Sequence, residues 1–286
     1  MRESYLHVKD KKIWYSVYGE AMPGIPLLVI HGGPGFLSMP EVVSDLSEDR
    51  PVYFYDQYGC GNSERAENPL EYSAAYYVEE LAEVRAALGL DTVILMGFSW
   101  GTALACLYAI KHGCGGIRGL VLCGPFLSTA LWDTDQRANI ALMPLVVKEA
   151  IVEGESKGDY GDSYQAAMME YYRRHVCRLE PWPDSLQKAF SQLNPEVYTS
   201  LWGPSEFTIT GALRSLDLVP RLGEIPAPVL LVCGDQDEAD PRTVKKYQLA
   251  FPDAKMAVIP GASHLHHMER PDLYKLIVQD FLKELP

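Results

Sequence analysis

One serine in this sequence lies in a pattern that can make its hydroxyl a nucleophile. Ser99 is the centre of Gly97-Phe-Ser-Trp-Gly101, between an apolar run at Thr92–Met96 and a helical pattern at Thr102–Lys111. A G-x-S-x-G sequence between a strand and a helix is typical of a sharp turn, in which the flanking glycines leave room for a strained serine. The turn lifts the hydroxyl to the edge of a sheet, where the N-terminus of the next helix favours developing negative charge. The pattern therefore predicts that Ser99 is the nucleophile of an acyl transfer.

A serine nucleophile needs a general base, and the best-placed base is a histidine near the end of the chain. His264 follows the strand predicted at Lys255–Ile259. His266 and His267 lie close by but further towards the next helix, and they remain alternatives. His31 ends an earlier predicted strand and suits a role in shaping the backbone. We predict that His264 is the base.

The base in turn needs a carboxylate to orient it, and four acidic residues follow the strand predicted at Val229–Cys233. They are Asp235, Asp237, Glu238 and Asp240. Asp235 follows a glycine, which favours a turn. Asp240 precedes a proline, where it can cap the next helix. We therefore predict that Asp237 is the acid of a Ser-His-Asp triad.

Acyl transfer also needs two hydrogen-bond donors at the carbonyl oxygen. The amide of Trp100, next to the nucleophile, is the first expected donor. The second is expected from His31-Gly-Gly-Pro-Gly35, because its glycines let the main chain approach a substrate closely, and we predict the amide of Gly33. This chemistry requires no metal and no cofactor, and none is predicted.

Alternating strands and helices would bring these residues together. The runs Leu27–Ile30 and Val52–Tyr55 are apolar throughout, which is typical of parallel strands buried between helices. In the helix predicted at Ser73–Leu88, apolar residues recur at helical spacing and the polar side is expected to carry Glu79, Glu80 and Glu83. The other predicted elements are an opening hairpin of Tyr5–Val8 and Ile13–Tyr18, strands at Leu120–Cys123, Val229–Cys233 and Lys255–Ile259, and helices at Val244–Phe251 and Leu273–Leu282.

The middle of the chain breaks this alternation. From about residue 126 to residue 224 the sequence is rich in aromatic, methionine and charged residues, and helical periodicity is clear at Gln165–Arg174 and Ser185–Phe190. We interpret residues 126–224 as a helical cap inserted into a core of residues 1–125 and 225–286. The predicted fold class is α/β, namely the α/β-hydrolase fold, with a mostly parallel central sheet flanked by helices. Aromatic residues of the cap are expected to line the pocket, and the sequence does not distinguish among Trp132, Tyr171, Phe190, Tyr198 and Trp202.

Bulk composition excludes several classes of function. The net charge of -13 disfavours binding to nucleic acid or to anionic lipid, whereas it is compatible with a cationic ligand and with general solubility. The longest apolar runs are too short to span a membrane, and the N-terminal residues have no signal-peptide pattern. The six cysteines form no CxxC pair, which favours free thiols in a reducing compartment. We therefore predict a cytoplasmic protein.

Together these motifs resemble the proline iminopeptidase (prolyl aminopeptidase) family of the α/β hydrolases. The resemblance covers nearly the whole chain and is weakest from residue 127 to residue 192. The stretch Asp56-Gln-Tyr-Gly-Cys-Gly61 is most similar to the tricorn-interacting aminopeptidases, a branch of broader specificity. The matching segments are His31-Gly-Gly-Pro-Gly35, Asp56-Gln-Tyr-Gly-Cys-Gly-Asn-Ser63, Gly97-Phe-Ser-Trp-Gly101, Trp202-Gly-Pro-Ser-Glu-Phe-Thr-Ile-Thr-Gly211, Gly234-Asp-Gln-Asp-Glu238 with Pro241, and Gly261-Ala-Ser-His264.

The resemblance implies that Glu206 and Glu238 hold the free α-amino group of the substrate. Two carboxylates suit that task, because an exopeptidase must recognise a cation at a fixed distance from the scissile carbonyl. Without a ligand the two charges would repel each other, and the pKa of one would be raised. Phe98 stands where many relatives have glycine and Tyr58 where many have arginine, which weakens the expectation of strict selectivity for proline.

The expected activity is that of a serine aminopeptidase, which releases an N-terminal proline or another small or hydrophobic residue through an acyl-enzyme. Its partner would be a peptide or small-molecule substrate with a free N-terminus. The alternative is an amidase or esterase that acts on amino-acid amides or small esters. An inactive hydrolase fold that binds a ligand is a third hypothesis, which the complete set of Ser99, Asp237 and His264 disfavours. The sequence does not predict the oligomeric state.

Overall fold

An eight-stranded sheet runs through the computed structural model, which describes residues 1–66 and 71–285. The strand order is β1-β2-β4-β3-β5-β6-β7-β8; β2 pairs antiparallel with both β1 and β4, and all later pairs are parallel. The predicted mostly parallel sheet is thus confirmed. The strands are β1 (Arg2–Val8), β2 (Lys11–Tyr18), β3 (Leu27–Ile30), β4 (Val52–Tyr55), β5 (Val93–Phe98), β6 (Ile117–Cys123), β7 (Val229–Gly234) and β8 (Ala254–Ile259).

Helices cover both faces of this sheet, and further helices form the segment between β6 and β7. In chain order the helices are α1 (Ala74–Ala87), α2 (Trp100–His112), α3 (Thr129–Ala141), α4 (Leu145–Lys157), α5 (Asp162–His175), α6 (Asp184–Ser191), α7 (Pro195–Leu201), α8 (Pro241–Ala250), α9 (His266–Glu269) and α10 (Pro271–Glu284). None of them is long and apolar enough to cross a membrane, a finding that applies to the described residues.

The side chains of β3 show how the two faces are filled. Leu28 and Ile30 belong to a large core cluster with residues of α1, α2 and α8, whereas Leu27 and Val29 belong to a smaller cluster with residues of α10. Successive residues of a strand point to opposite faces, so a strand between two helical layers must be apolar at every position. This explains the uninterrupted apolar runs in the sequence.

One residue of α1 differs from the sequence-based expectation. Ser73 caps the helix, because its side chain accepts a hydrogen bond from the Tyr76 amide, and Tyr77, Leu81 and Val84 are buried as predicted. Glu80, which was expected on the polar side, is completely buried. The prediction was wrong because the Glu80 carboxylate accepts a hydrogen bond at 3.0 Å from the Tyr58 amide, in the loop after β4.

The segment between β6 and β7 is helical and has a core of its own. Buried residues of α3, α4 and α5, among them Ile140, Ile151 and Tyr171, form a third hydrophobic cluster with Phe207. Helices α5 and α6 match the periodic segments found in the sequence, whereas α3, α4 and α7 were not predicted individually. This is the interval over which the sequence places the cap; its division from the core at residues 126 and 224 stays a prediction.

Candidate active site

Ser99 occupies a sharp turn between the end of β5 and the start of α2. Its φ of 50° lies in the left-handed region that non-glycine residues rarely adopt. The turn depends on both flanking glycines: a Cβ atom on Gly97 would lie 2.4 Å from the Gly101 carbonyl oxygen, and one on Gly101 would lie 2.2 Å from that of Ile30. The strained conformation points to a functional role for the serine, because the surrounding contacts have to enforce it.

A cavity of about 830 Å³, including its open mouth, lies next to this turn. Five of the seven predicted site residues line it: Ser99, His264, Gly33, Glu206 and Glu238. The helical segment between β6 and β7 contributes Val176, Leu186, Phe190 and Glu206, so both parts of the chain enclose the cavity. Trp100 directly follows Ser99, and Asp237 contacts His264.

The predicted base and acid are in hydrogen-bond contact. Nδ1 of His264 lies 2.8 Å from Oδ1 of Asp237, and both side chains are buried. Asp237 also accepts hydrogen bonds from the amides of Ala239 at 2.8 Å and Gly234 at 3.2 Å. Burial tends to raise the pKa of Asp237, but the charge and hydrogen bond of His264 overcome it and hold that pKa well below the usual range. Asp237 therefore stays ionised and can orient the imidazole.

The alternative acids and histidines lie in other positions. Asp235 is exposed and accepts a hydrogen bond from the Gly261 amide at 2.9 Å, and Asp240 caps α8 through the Arg242 amide at 2.7 Å. His266 and His267 are buried at the start of α9. His266 Nδ1 is 3.7 Å from Asp237 Oδ2, and the His267 ring packs against Phe98 with centroids 4.7 Å apart. The short contact to Asp237 is thus made by His264.

Hydrogen bonds of one glutamine link the two segments that carry the predicted oxyanion donors. Gly33 lines the cavity with a φ of 117°. Gln57 donates from its side-chain amide to the His31 carbonyl at 2.9 Å and accepts from the Trp100 indole at 3.0 Å, while its main-chain amide donates to His31 Nε2 at 3.0 Å. Burial lowers the pKa of His31 to about 4, so its ring is neutral and Nε2 can accept. Sequence reasoning missed Gln57, although its place two residues after a buried strand was a usable signal.

Glu206 is held by two tyrosines and a tryptophan of the helical segment. Its Oε1 accepts from the Tyr198 hydroxyl at 2.8 Å, and its main-chain amide donates to the Tyr172 hydroxyl at 3.0 Å. The Trp132 indole donates to its carbonyl oxygen at 2.9 Å. The carboxylate is thereby fixed at the wall of the cavity.

Glu238 differs from Glu206, because its carboxylate is completely buried and neither oxygen has a hydrogen-bond partner among the described residues. Its backbone is fixed by Gln136 of α3, whose side-chain amide donates to the Glu238 carbonyl at 2.9 Å. A buried carboxylate without a partner is strongly unfavourable, so such an arrangement indicates a site for a ligand.

The electrostatics of the cavity favour a cation. Burial raises the pKa of Glu206 to about 7, and burial with the charges of Glu206 and Asp237 raises that of Glu238 well above its usual value. Among the described residues that line the cavity there is no lysine or arginine. A small ammonium group would supply the missing positive charge.

Two further expectations concern side chains that the sequence singled out. Phe98 lines the cavity, whereas Tyr58, in the loop after β4, is buried and is not among the lining residues. Of the five aromatic residues considered for the pocket, Phe190 lines it. Tyr198 donates a hydrogen bond to Glu206, which lines the cavity. The centroids of the Trp132 and His264 rings are 5.8 Å apart.

Comparison with known proteins identifies the relatives of this chain. Residues 25–271 match the family model described as alpha/beta hydrolase fold. Curated relatives include a proline iminopeptidase of Heyndrickxia coagulans, 37% identical over 99% of both chains. Another is a proline iminopeptidase of Thermoplasma volcanium, 33% identical over 99% of this chain and 97% of that one.

Solved structures agree with these matches. The proline iminopeptidase of Mycobacterium smegmatis superimposes with a TM-score of 0.90 at 31% identity, over 99% of this chain and 98% of that one. The structure of VinJ superimposes with a TM-score of 0.95 at 31% identity, over 100% of this chain and 99% of that one.

Proposed function

This chain belongs to the proline iminopeptidase family of the α/β hydrolases, and on that premise we propose that it is a serine aminopeptidase that releases an N-terminal proline, or another small or hydrophobic residue, from a substrate with a free N-terminus. One observation carries the proposal: the buried Glu238 carboxylate, which accepts no hydrogen bond from any residue that the structure describes, lies in the same cavity as Ser99, His264 and Glu206. An N-terminal ammonium group bound by the two glutamates would fix the first residue of the substrate. The carbonyl carbon of that first residue would then lie within reach of Ser99.

In the proposed reaction, the hydroxyl oxygen of Ser99 attacks that carbonyl carbon and Nε2 of His264 accepts the hydroxyl proton. The oxyanion that forms accepts hydrogen bonds from the amides of Gly33 and Trp100. His264 then donates its proton to the leaving nitrogen as the C–N bond breaks, which leaves the amino acid as an ester of Ser99. Water attacks this ester with His264 as base, and the free amino acid and Ser99 are restored. Asp237 holds the imidazole and stabilises its charged form throughout.

We also propose a cytoplasmic location and the division into a core and a cap. The location is supported by the six cysteines, which are free thiols, five of them buried. The division is supported by the separate hydrophobic cluster between β6 and β7.

The test is kcat/KM on a matched set of p-nitroanilides of proline, alanine and leucine, each with a free and an N-acetylated amine. We expect activity on the free-amine compounds, highest with proline. A Ser99→Ala variant, which removes the nucleophile, is the control for background hydrolysis. A fluorophosphonate should label Ser99 in the wild type, and failure to label would favour an inactive, ligand-binding protein.

Comparable rates on the acetylated compounds would contradict the proposal. The triad would keep its role, but the glutamates would have no part in recognition. The protein would then be an amidase or esterase for amino-acid amides or small esters, which is the alternative function.

A further inference from the structure

The two ring nitrogens of His264 face two different carboxylates. Nδ1 lies 2.8 Å from Asp237 Oδ1, and on the other side of the ring Nε2 lies 3.7 Å from Glu238 Oε1. The side chains of Asp237 and Glu238 are both inaccessible to solvent. Nε2 is the nitrogen that must accept the Ser99 proton, so Glu238 stands beside the atom on which general-base catalysis depends.

Other titratable groups surround His264. Glu206 lies on the helical segment, His267 lies on α9, and Nδ1 of His266, also on α9, is 3.7 Å from Asp237 Oδ2. The carbonyl of His175, at the end of α5, accepts a hydrogen bond from the His264 amide at 3.0 Å. Burial lowers the pKa of both His175 and His267, so these two rings are neutral. Burial also disfavours a charged His264, but Asp237, Glu238 and Glu206 outweigh it and raise its pKa to about 9.

We infer that Glu238 couples recognition of the substrate's ammonium group to the availability of His264 as a base. In the free enzyme Glu238 and Nε2 of His264 hold one proton between them, so this nitrogen is not free to accept another. The bound ammonium group becomes the partner of Glu238, and the pair then releases that proton to solvent. Net charge balances, because the cationic substrate replaces the released proton.

This inference rests on the proposed function and gives Glu238 a second task in it. A substrate without an ammonium group loses a binding contact and also meets an enzyme whose base is protonated at neutral pH. Such a substrate is therefore rejected at the chemical step as well as in binding. Glu238 would be a specificity-determining residue that acts through His264.

The first test compares Glu238→Gln with wild type on two substrates, proline p-nitroanilide and p-nitrophenyl acetate, from pH 5 to pH 10. Glutamine keeps the size of the side chain and removes its charge. At pH 7 we expect kcat/KM to rise about tenfold for the ester and to fall at least about tenfold for the anilide. In the plot of kcat/KM against pH for the ester, the rise on the acidic side should occur at lower pH than in the wild type. Glu206→Gln is the matched control, since it removes the other carboxylate and leaves the Nε2 contact intact. Glu206→Gln should lower kcat/KM for the anilide, and it should shift the acidic side of the pH profile for the ester less than Glu238→Gln does.

The result that would overturn the inference is a loss of ester activity equal to the loss on the anilide, or an ester profile that does not move. Either would show that Glu238 supports only the fold or the amine contact.

A second test needs no variant. Pyrrolidinium chloride, at a concentration that inhibits proline p-nitroanilide hydrolysis by about nine-tenths, fills the ammonium site of the wild-type enzyme. It should raise the rate of enzymatic p-nitrophenyl acetate hydrolysis at pH 7 several-fold after subtraction of the enzyme-free rate. An unchanged or lower rate would overturn the inference.

Failure of the inference and failure of the proposed function have different signatures. If wild type prefers the free-amine anilide but neither test changes the ester rate as described, the aminopeptidase stands and the coupling is wrong. If wild type hydrolyses N-acetylprolyl p-nitroanilide as fast as the free-amine compound, the proposed function itself is wrong.

Discussion

Glu206 depends on the Tyr198 hydroxyl for the orientation of its carboxylate. We expect Glu206→Ala to lower kcat/KM for proline p-nitroanilide about 10- to 100-fold, mainly through KM, because a charged hydrogen-bonding partner of the ammonium group is lost. Hydrolysis of p-nitrophenyl acetate should change little. Steady-state kinetics on both substrates measures the difference.

Tyr198→Phe is a milder variant of the same experiment. It keeps the carboxylate and removes one hydrogen bond of 2.8 Å from a neutral donor, so the loss on the anilide should be smaller, up to about tenfold. An equal loss on the anilide and the ester in Glu206→Ala would show that Glu206 supports the fold and not the substrate.

Single residues of the site were predictable to different degrees. Ser99, Asp237 and His264 each follow a strand, and parallel strands end at one edge of a sheet, so their proximity could be inferred from the sequence. Glu206 lies in a segment without strand periodicity and was found through the family resemblance. The contact of Glu238 with Nε2 of His264 depends on side-chain directions in two separate loops, which no pattern encodes. The catalytic roles of all these residues stay predictions.

At the scale of elements, the approach of α2 to β3 depends on Gly101. An added Cβ would lie 2.2 Å from the Ile30 carbonyl oxygen and 2.9 Å from that of His31. Moving the backbone of a central strand to relieve these contacts would cost much of the stability of the sheet. We expect Gly101→Ala to lower stability by about 3 kcal/mol or more, seen as a fall in Tm of about 10 °C or as loss of folded protein.

Gly115→Ala is the matched control for that experiment. A Cβ there would meet nothing within 4 Å and the backbone is not in the left-handed region, so Tm should stay within about 1 °C of wild type. A Gly101→Ala protein with unchanged Tm would mean that α2 can move away from β3 without loss of packing.

The buried Glu80 makes the packing of α1 depend on pH. Burial raises its pKa to about 8, against a partly opposing hydrogen bond from the Tyr58 amide. In the unfolded chain the pKa returns to about 4.3. Between these values the folded protein binds one more proton than the unfolded chain, so the free energy of unfolding falls as the pH rises. We expect Glu80→Gln to reduce the fall in Tm between pH 6 and pH 8.5.

A second glutamate of α1 serves as the control. Glu79 is partly exposed, and hydrogen bonds from Lys111 and His112 lower its pKa, so it is ionised throughout this range. Glu79→Gln should therefore alter the difference in Tm between pH 6 and pH 8.5 less than Glu80→Gln does. Thermal unfolding followed by circular dichroism measures both variants, and an unaltered pH dependence in Glu80→Gln would contradict the assignment.

The elements that the sequence did not reveal share a physical reason. The buried face of α3 carries Asp135 and Gln136, which bond to Thr243 and to the Glu238 carbonyl, so polar residues interrupt its apolar stripe. In α4, Leu145, Val146 and Val152 are exposed, so apolar positions are not confined to one face. By contrast, Asn194 before Pro195 was a usable start signal for α7, because its side chain caps that helix.

At the scale of the whole molecule, the cavity is shared between the sheet and the helical segment between β6 and β7. The sheet side supplies Ser99 and His264, and the helical segment supplies Glu206 and the ring of Phe190. The change in the alternation of strands and helices predicted a cap at residues 126–224, and this division stays a prediction. How the helices of this segment pack over the cavity depends on contacts far apart in sequence, such as that between Trp132 and the Glu206 carbonyl, and these could not be predicted.

The net charge of the molecule should act on the approach of the substrate. With 25 lysines and arginines against 38 aspartates and glutamates, the chain carries a charge of -13, which attracts a cationic substrate over several ångströms of water. Salt shortens the range of this attraction, from about 10 Å at 0.1 M to about 3 Å at 1 M. We expect kcat/KM for proline p-nitroanilide to fall about two- to fivefold between 20 mM and 500 mM KCl.

The uncharged ester p-nitrophenyl acetate is the control, since the field of the protein does not attract it. Its kcat/KM should stay within about a factor of 1.5 over the same salt range. An equal fall in kcat/KM on both substrates would show that salt acts on the enzyme itself. A kcat/KM for the anilide that does not change with salt would confine recognition of the ammonium group to the short-range contacts with Glu206 and Glu238. A third outcome is that salt lowers kcat/KM for the anilide alone, and does so by the same factor in Glu206→Ala, whose kcat/KM is lower at every salt concentration. That result would show that the surface charge contributes independently of the ammonium site.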